Sequence, residues 1–331
     1  MKTDILMIFV TAALVFAVTV LISKFVIPIL KSHKVGQKIL EIGPRWHKSK
    51  EGTPTMGGIC FILAILIVMT GVFVYYAFAG RVSKLIPLAL TLGLATMNGM
   101  VGFIDDYTKL VKKQNEGLLA YQKFLLQLAV AAIYVTVMTK LGYINTVLYI
   151  PYFGIEWEMG WLYYLFALVL ITGIVNSVNL TDGIDGLASS ISLVVGAFLC
   201  VCAIALGNTS LGLVSGALIG ATLGFLVYNF YPARVFMGDT GSLFLGGMTV
   251  GAAFVMNNPL LVLVFGLMFV LETLSVMLQV SCFKLTHKRI FKMSPIHHHF
   301  EKCGWSEIKI VCVFSFMTLV FCTLAWFGVR I

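Results

Sequence analysis

The sequence predicts an all-α protein that crosses a membrane many times. Of its 331 residues, 60% are hydrophobic and only 11% are charged, and the mean hydropathy is +0.98. A soluble domain of this size carries charge on about a quarter of its residues. The apolar residues also come in roughly ten blocks, each long enough for a helix of about 20 residues to cross the hydrocarbon layer. We therefore expect a polytopic fold with a single integral membrane domain over residues 1–331.

The expected spans follow the apolar runs in chain order. They are residues 5–30, 54–79, 85–104, 120–140, 160–178, 187–206, 211–230, 243–257, 260–283 and 307–329. The first run has no small-residue cleavage site after a short apolar core, so we expect a span rather than a signal peptide. Residues 143–159 break the pattern, because partial alternation, aromatic residues, Pro151 and Gly154 indicate a small extracytoplasmic β-hairpin.

The positive charges are unevenly distributed between the two sides of the predicted bundle. Most lysines and arginines lie in loops that follow odd-numbered spans, and the other side carries only Lys2, Arg81, Lys84, Lys140 and Arg330. By the positive-inside rule the first side is cytoplasmic, so both termini are expected outside. Most of the net charge of +9 therefore reflects topology, and it does not indicate a nucleic-acid partner.

The aspartates are also sorted to one side. Apart from Asp4, they are Asp105, Asp106, Asp182, Asp185 and Asp239, all in predicted cytoplasmic loops or at the adjacent span ends. A carboxylate at bilayer depth costs roughly 2.5–3.5 kcal/mol on insertion scales, which makes each one a candidate for function. Any single acid is explained equally well as a helix cap or a lysine partner. Their shared location favours one common site.

GFIDDYTK, residues 102–109, ends the third span with two adjacent carboxylates. Neighbouring residues on a helix point about 100° apart, so Asp105 and Asp106 are expected to have different partners. Two like charges this close need a cation nearby, or one of them retains its proton.

NLTDGIDGLAS, residues 179–189, places Asn179, Asp182 and Asp185 three residues apart. If the turn is helical, they lie on nearly one side, and the intervening glycines leave room for a ligand near the backbone. Oxygen ligands suit magnesium, or the hydroxyls of a sugar or nucleoside, better than zinc. The alternative is an Asx-turn that caps the sixth span.

FMGDTGSLFLGG, residues 236–247, supplies a further acid before an apolar helix. Asp239 is either the N-cap of that helix or a magnesium ligand beside backbone amides that suit phosphate.

MSPIHHHFEKCGW, residues 293–305, contains three consecutive histidines. Three neighbouring rings cannot all face one metal, so hydrogen bonds to phosphate oxygens are the preferred interpretation in this basic loop.

KSKEGTPTMGG, residues 48–58, resembles a phosphate-binding loop in composition only. It is not a Walker A sequence, and a flexible basic loop with Pro54 at a helix start explains it equally well.

Together, these five segments place carboxylates, an amide, lysines, imidazoles and glycines on one side of the membrane. Such a set suits magnesium-assisted phosphoryl transfer, in which catalysis is chiefly positioning and neutralisation of charge on oxygen. A hydrolase is not indicated, because the chain contains no Ser-His-Asp order, HExxH or GxSxG motif.

At these motifs the sequence resembles the phospho-N-acetylmuramoyl-pentapeptide transferase family, within the polyprenyl-phosphate N-acetylhexosamine-1-phosphate transferase superfamily. The matching segments are GTPTMGG at 52–58, GFIDDYTK at 102–109, NLTDGIDGLA at 179–188, VFMGDTGSL at 235–243 and SPIHHHFE at 294–301. The resemblance implies Mg²⁺-dependent transfer of phospho-MurNAc-pentapeptide from its UDP carrier to undecaprenyl phosphate, yielding lipid I and UMP for peptidoglycan synthesis. It also implies ten spans, a homodimer and an active site on the cytoplasmic face of the bacterial cell (inner) membrane.

The resemblance also assigns roles to individual residues. The implied catalytic residues are Asp105, Asp106, Asp239, His297, His298 and His299, with Asp239, Asp105 and Asp106 around the metal. The implied substrate-binding residues are Lys50, Thr55, Lys109, Lys113, Asn179, Asp182, Asp185, Phe236 and Gln279, with Phe236 stacking on uracil.

Two other functions and one other mechanism stay open at this point. A sister transferase would use UDP-GlcNAc. A divalent-cation transporter would place acids at the bilayer midplane in paired broken helices, whereas here only Glu272 is clearly in the middle of a span. For the transfer itself we expect direct attack by the lipid phosphate, and the alternative is a phosphorylated Asp105 or Asp106.

Overall fold

The protein is a bundle of helices with one small β-hairpin. The computed structural model describes residues 2–32, 52–112 and 116–330. The helices are α1 (Lys2–Ser32), α2 (Gly58–Phe78), α3 (Ile86–Lys112), α4 (Ala120–Lys140), α5 (Leu162–Thr181), α6 (Leu187–Leu206), α7 (Thr209–Asn229), α8 (Gly238–Val255), α9 (Val262–Phe265), α10 (Leu267–Thr286), α11 (Ile296–Lys302) and α12 (Glu307–Trp326). Short 3₁₀ turns at Val82–Leu85 and Pro259–Leu261 precede α3 and α9.

Nine helices of the described residues are long and apolar enough to cross a membrane, namely α1 to α7, α10 and α12. They correspond closely to nine of the ten predicted spans. The ninth predicted run, residues 260–283, is divided, because α9 ends at Phe265 and α10 begins at Leu267, with Gly266 between them. Predicted span 243–257 falls on α8, which is not among the nine.

α8 differs from the other long helices because protein surrounds it. Every residue from Thr240 to Val255 is buried, and α8 packs against α2, α3 and α5. Its glycines allow very close approach, since a Cβ added to Gly247 would lie only 2.7 Å from the Cα of Ala95. Small residues and hydroxyls thus replace the long apolar side chains that a lipid-facing helix needs. The N-terminus of α8 is thereby held beside the ends of α3 and α5.

A glycine ladder joins α7 to α1. Gly212, Gly216, Gly220 and Gly224 recur every fourth residue and so lie on one face of α7. A Cβ on Gly220 would lie 2.3 Å from the carbonyl oxygen of Ala12. This is the small-residue contact by which membrane helices pack backbone to backbone. Residues 211–230 were predicted as a span from their hydrophobicity, but the glycine ladder was not predicted.

The predicted hairpin is confirmed. β1 (Val147–Ile150) pairs antiparallel with β2 (Ile155–Glu158), and Gly154 in the turn has a φ of 65°, which glycine adopts without strain.

The hairpin end of the bundle also carries both ends of the described chain. Arg330 lies 2.5 Å from Glu156 on β2, and Asp4 accepts a hydrogen bond from the Tyr76 hydroxyl near the end of α2. Because α2 begins beside the N-terminus of α8, this end is opposite Asp239.

Candidate active site

Two glycine-containing segments fix the start of α8. The N–H of Phe236 donates to the carbonyl of Pro54 at 2.8 Å, and the N–H groups of Gly57 and Gly58 donate back to residues 236 and 237. Gly58 allows this contact, since a Cβ there would lie 2.2 Å from the Cα of Gly241. The predicted substrate residues Thr55 and Phe236 therefore lie side by side at the N-terminus of α8.

Asp106 of α3 caps α8 from outside that helix. Its carboxylate accepts hydrogen bonds from the Thr240 N–H at 2.9 Å, the Thr240 hydroxyl at 2.7 Å and the Asp239 N–H at 3.3 Å. A carboxylate at a helix N-terminus satisfies free N–H groups and interacts favourably with the helix dipole. Asp239 itself therefore does not cap α8, and its side chain is available for other partners.

Asp105 has different partners from its neighbour, as the helical geometry predicts. It accepts a hydrogen bond from the Leu118 N–H at 2.8 Å and lies 2.6 Å from the Lys109 ammonium. α3 reaches this position because Gly102 has no side chain, and a Cβ there would lie 2.2 Å from the carbonyl oxygen of Asp239. The cation expected beside two adjacent carboxylates is Lys109.

Asp239 is the centre of the site. Its Oδ2 lies 2.9 Å from the ammonium groups of both Lys109 and Lys123. Its Oδ1 accepts a hydrogen bond of 2.8 Å from the Asn179 amide, which also donates to the Ser242 hydroxyl. Side chains from α3, α4 and α5 thus converge on one carboxylate at the start of α8.

Asp105, Asp106 and Asp239 fit a hard divalent cation. One oxygen from each lies within 4.8 Å of the others, and no other group of three acids, histidines or cysteines in the described ranges is arranged this way. Oxygen-only ligands are typical of magnesium. Three carboxylates against two lysines also leave a net negative charge, which attracts a cation. We call these three aspartates and two lysines the acidic cluster.

Asp182 lies next to the acidic cluster, just after the end of α5. Burial raises the pKa of this carboxyl to about 8, and the negative charges of Asp239, Asp106 and Asp185 act in the same direction. No described residue donates a hydrogen bond to its side chain. In the protein without a divalent cation, the charged form of Asp182 is therefore unfavourable.

Replacing Asp182 with asparagine is expected to stabilise the metal-free protein. The folded protein binds a proton at Asp182 between about pH 4 and about pH 8, whereas the unfolded chain does not, so stability falls as the pH rises through this window. Asp182→Asn removes that dependence and should raise the Tm in EDTA at pH 8 by at least about 2 °C. Thermal unfolding at pH 5 and pH 8 tests this, and an unchanged or lower Tm at pH 8 would contradict it.

Asn179, Asp182 and Asp185 were expected on nearly one side if the turn is helical, and the turn is not helical. α5 ends at Thr181, and Asp182 has a non-helical backbone with a φ of −80° and a ψ of 53°, so the chain leaves the helix before Asp185. Asn179 contacts the acidic cluster. Asp185 instead accepts the Ala233 N–H at 2.9 Å.

Two predicted substrate residues brace loops through backbone hydrogen bonds. Besides its bond to Ala233, Asp185 is tied to α12, since its own N–H donates to Glu307 at 3.0 Å. The side-chain oxygen of Gln279 accepts the N–H groups of Ile290 and Phe291 at 3.0 and 2.9 Å. These two side chains order the segments around the site.

The three histidines of α11 have three different partners, as expected for consecutive residues on a helix. His297 is buried, and its Nδ1 lies 3.1 Å from the Glu272 carboxylate. Its Nε2 faces Gly183, so that a Cβ added to Gly183 would lie 2.2 Å from this nitrogen. His298 lies 2.5 Å from Glu301. His299 accepts the Lys292 N–H at 3.1 Å. His297 is thus the one that meets the loop carrying Asp182.

Lys123 is a site residue that was not predicted from the sequence, and two predicted residues have no described position. Lys50 and Lys113 lie outside the described residues. Lys123 follows the first residues of α4, and an ionisable side chain inside an apolar run was a usable signal.

The fold is that of a membrane-embedded protein, and its family match identifies it as a glycosyl transferase. Residues 88–257, which include all three aspartates of the cluster, match the family described as Glycosyl transferase family 4. Residues 50–62 match Phospho-N-acetylmuramoyl-pentapeptide-transferase signature 1.

Curated relatives with that name cover almost the whole chain. The Clostridium perfringens (strain 13 / Type A) phospho-N-acetylmuramoyl-pentapeptide-transferase is 46% identical over 94% of this chain and 95% of its own length. The Staphylococcus aureus (strain bovine RF122 / ET3-1) phospho-N-acetylmuramoyl-pentapeptide-transferase is 44% identical over 98% of this chain and 100% of its own length. The chain belongs to the phospho-N-acetylmuramoyl-pentapeptide-transferase family.

Proposed function

We propose that the protein transfers phospho-MurNAc-pentapeptide from UDP-MurNAc-pentapeptide to undecaprenyl phosphate, releasing UMP and forming lipid I. The observation that supports this most strongly is the acidic cluster at the ends of apolar helices, in a chain about 45% identical to named transferases over almost its full length. The reaction takes place at the cytoplasmic face of the bacterial cell membrane, with both termini outside and the protein as a homodimer.

The main barrier to this reaction is electrostatic, because both reactants are anions. A phosphate monoester must approach a diphosphate, so the site has to neutralise charge on oxygen. Asp105, Asp106 and Asp239 would hold Mg²⁺, which would supply that neutralisation and polarise the phosphate oxygens. Lys109 and Lys123 add positive charge from the protein itself.

The donor nucleotide and sugar lie against the segments that surround the start of α8. Phe236 offers a ring for the uracil, and Thr55 and Asp182 offer polar groups to the rest of the donor. Asn179 joins this region to the acidic cluster through Asp239. His297 supports the Asp182 loop, and His298 and His299 lie beside it on α11, in reach of phosphate or sugar groups.

The lipid phosphate attacks the sugar-linked phosphorus directly, and UMP leaves. The acceptor is already largely anionic at neutral pH, since the second pKa of a phosphate monoester is about 6. Asp105 and Asp106 are poorly suited as nucleophiles because both accept hydrogen bonds from backbone N–H groups. Isolation of a sugar-phosphate adduct on either aspartate in the absence of lipid acceptor would contradict the direct route.

The substrate is tested by UMP release from purified protein with undecaprenyl phosphate and either UDP-MurNAc-pentapeptide or UDP-GlcNAc. We expect kcat/KM for UMP release to be at least about 10³-fold higher with UDP-MurNAc-pentapeptide than with UDP-GlcNAc, which corresponds to about 4 kcal/mol. Equal or greater release with UDP-GlcNAc would assign the chain to the sister activity instead.

A further inference from the structure

The ammonium of Lys109 lies at the centre of the proposed metal site. Its Nζ is 2.6 Å from Asp105, 2.9 Å from Asp239 and 3.9 Å from Asp106. These are the same three carboxylates whose oxygens are close enough together to hold one ion. Among the described residues, Lys123 by comparison makes polar contacts with Asp239 and Asn179 only. Lys109 is therefore the one lysine of the cluster that is in reach of all three acids.

A divalent cation and this ammonium would compete for the same oxygens. Asp105 and Asp106 are buried, each only 3% exposed, and the Asp239 side chain is 20% exposed, so solvent screens repulsion between the two cations weakly. A lysine side chain carries its charge on a flexible four-carbon stem. Lys109, one turn beyond Asp105 on α3, can withdraw its ammonium without any movement of the helix.

We infer that Lys109 is a resident counter-cation, which neutralises the three carboxylates when no metal is bound and leaves them when a divalent cation arrives. This inference rests on the proposed metal site. It explains how a buried cluster of three acids remains tolerable before metal binds, since uncompensated buried charges are strongly unfavourable. The released ammonium becomes available to phosphate oxygens at the moment the metal is in place, so one event prepares both positive groups.

The competition predicts a gain of metal affinity when the ammonium is removed. If Lys109 occupies the carboxylates in nine of ten metal-free molecules, the apparent Kd for metal is about tenfold weaker than the intrinsic one. Lys109→Gln should therefore bind Mn²⁺ about tenfold more tightly than the wild type. Mn²⁺ binding is measured by electron paramagnetic resonance on the full-length protein in detergent, without substrates.

Three matched variants separate competition at the site from a general change of charge. Lys112→Gln removes a charge from the same helix at an exposed position with no contact to the cluster, and it should leave the Kd within about twofold of the wild type. Lys123→Gln removes a cation that contacts Asp239 but neither of the other two aspartates. It should therefore increase the affinity for Mn²⁺ by less than Lys109→Gln does. Lys109→Arg keeps a permanent cation and should bind Mn²⁺ no more tightly than the wild type.

The same samples show whether Lys109→Gln is folded. Without metal the variant should have a lower Tm than the wild type, and saturating Mn²⁺ should raise its Tm by more than it raises that of the wild type. An unchanged Kd in Lys109→Gln, equal tightening in Lys112→Gln, or tighter binding in Lys109→Arg would overturn the inference and leave the proposed function intact. Failure of the wild type and every variant to bind Mn²⁺ would overturn the metal site as well.

Discussion

Replacing Asp239 with asparagine is expected to lower the rate of UMP release at least about a thousandfold, or about 4 kcal/mol of transition-state stabilisation. The substitution hardly changes the size of the side chain, but it removes the charge that two lysines and one proposed metal ion share. The cluster then carries no net negative charge to attract a cation. kcat/KM at saturating Mg²⁺ is the quantity to measure, together with Mn²⁺ binding.

The matched control for this variant is Asp4→Asn. Asp4 also contacts a neighbouring helix, through the Tyr76 hydroxyl, but it lies at the opposite end of the bundle. We expect its UMP release to stay within about twofold of the wild type, since a surface or rim hydrogen bond contributes about 1 kcal/mol to stability and nothing to the site. Activity of folded Asp239→Asn within tenfold of the wild type would remove Asp239 from the metal site.

Replacing Gly220 with leucine is expected to cause the largest loss of stability of any single substitution proposed here. The new Cβ would lie 2.3 Å from the carbonyl oxygen of Ala12 and 2.9 Å from the Phe16 nitrogen, so α1 must move away from α7. Overpacking typically costs 1–3 kcal/mol, and here the obstructing atoms are backbone that cannot change rotamer. We expect a loss of about 3 kcal/mol or more, measured by thermal unfolding in detergent.

Gly71→Leu is the control for Gly220→Leu. Gly71 lies in the middle of α2, is exposed, and has no atom within 4 Å of the position of a Cβ. The same chemical change there should leave the Tm unchanged or slightly raise it, because leucine favours helix more than glycine does. Equal unfolding temperatures for the two variants would show that the glycine ladder does not hold α1 in place.

The sequence predicts the lipid-facing helices well because their hydrophobicity is a local property. α4 and α6 begin and end at the predicted residues, 120–140 and 187–206. α8 is harder, since a helix enclosed by protein needs small residues rather than long apolar ones, and only the packed structure shows which neighbours require them. The ladder from Gly212 to Gly224 was difficult to predict for the same reason, because its glycines pack against α1, about two hundred residues earlier in the chain.

The acidic residues of the site were recognisable from the sequence, but their arrangement was not. Asp105, Asp106 and Asp239 are recognisable because a carboxylate near the membrane is energetically costly, which makes it a candidate for function. Their different roles depend on tertiary contacts: Asp106 caps α8, and Asp239 forms an ion pair with Lys123 of α4. Asn179, Asp182 and Asp185 were expected on nearly one side if the turn is helical, but α5 ends at Thr181 and the turn that follows is not helical.

The dependence of UMP release on free Mg²⁺ tests most directly whether the acidic cluster brings a cation between two anionic reactants. Purified protein is assayed with UDP-MurNAc-pentapeptide and undecaprenyl phosphate in EDTA, and Mg²⁺ is then added back over a range of concentrations. We predict no release in EDTA and a saturable recovery that Asp239→Asn lacks. Release in EDTA at the rate seen with saturating Mg²⁺ would contradict the account.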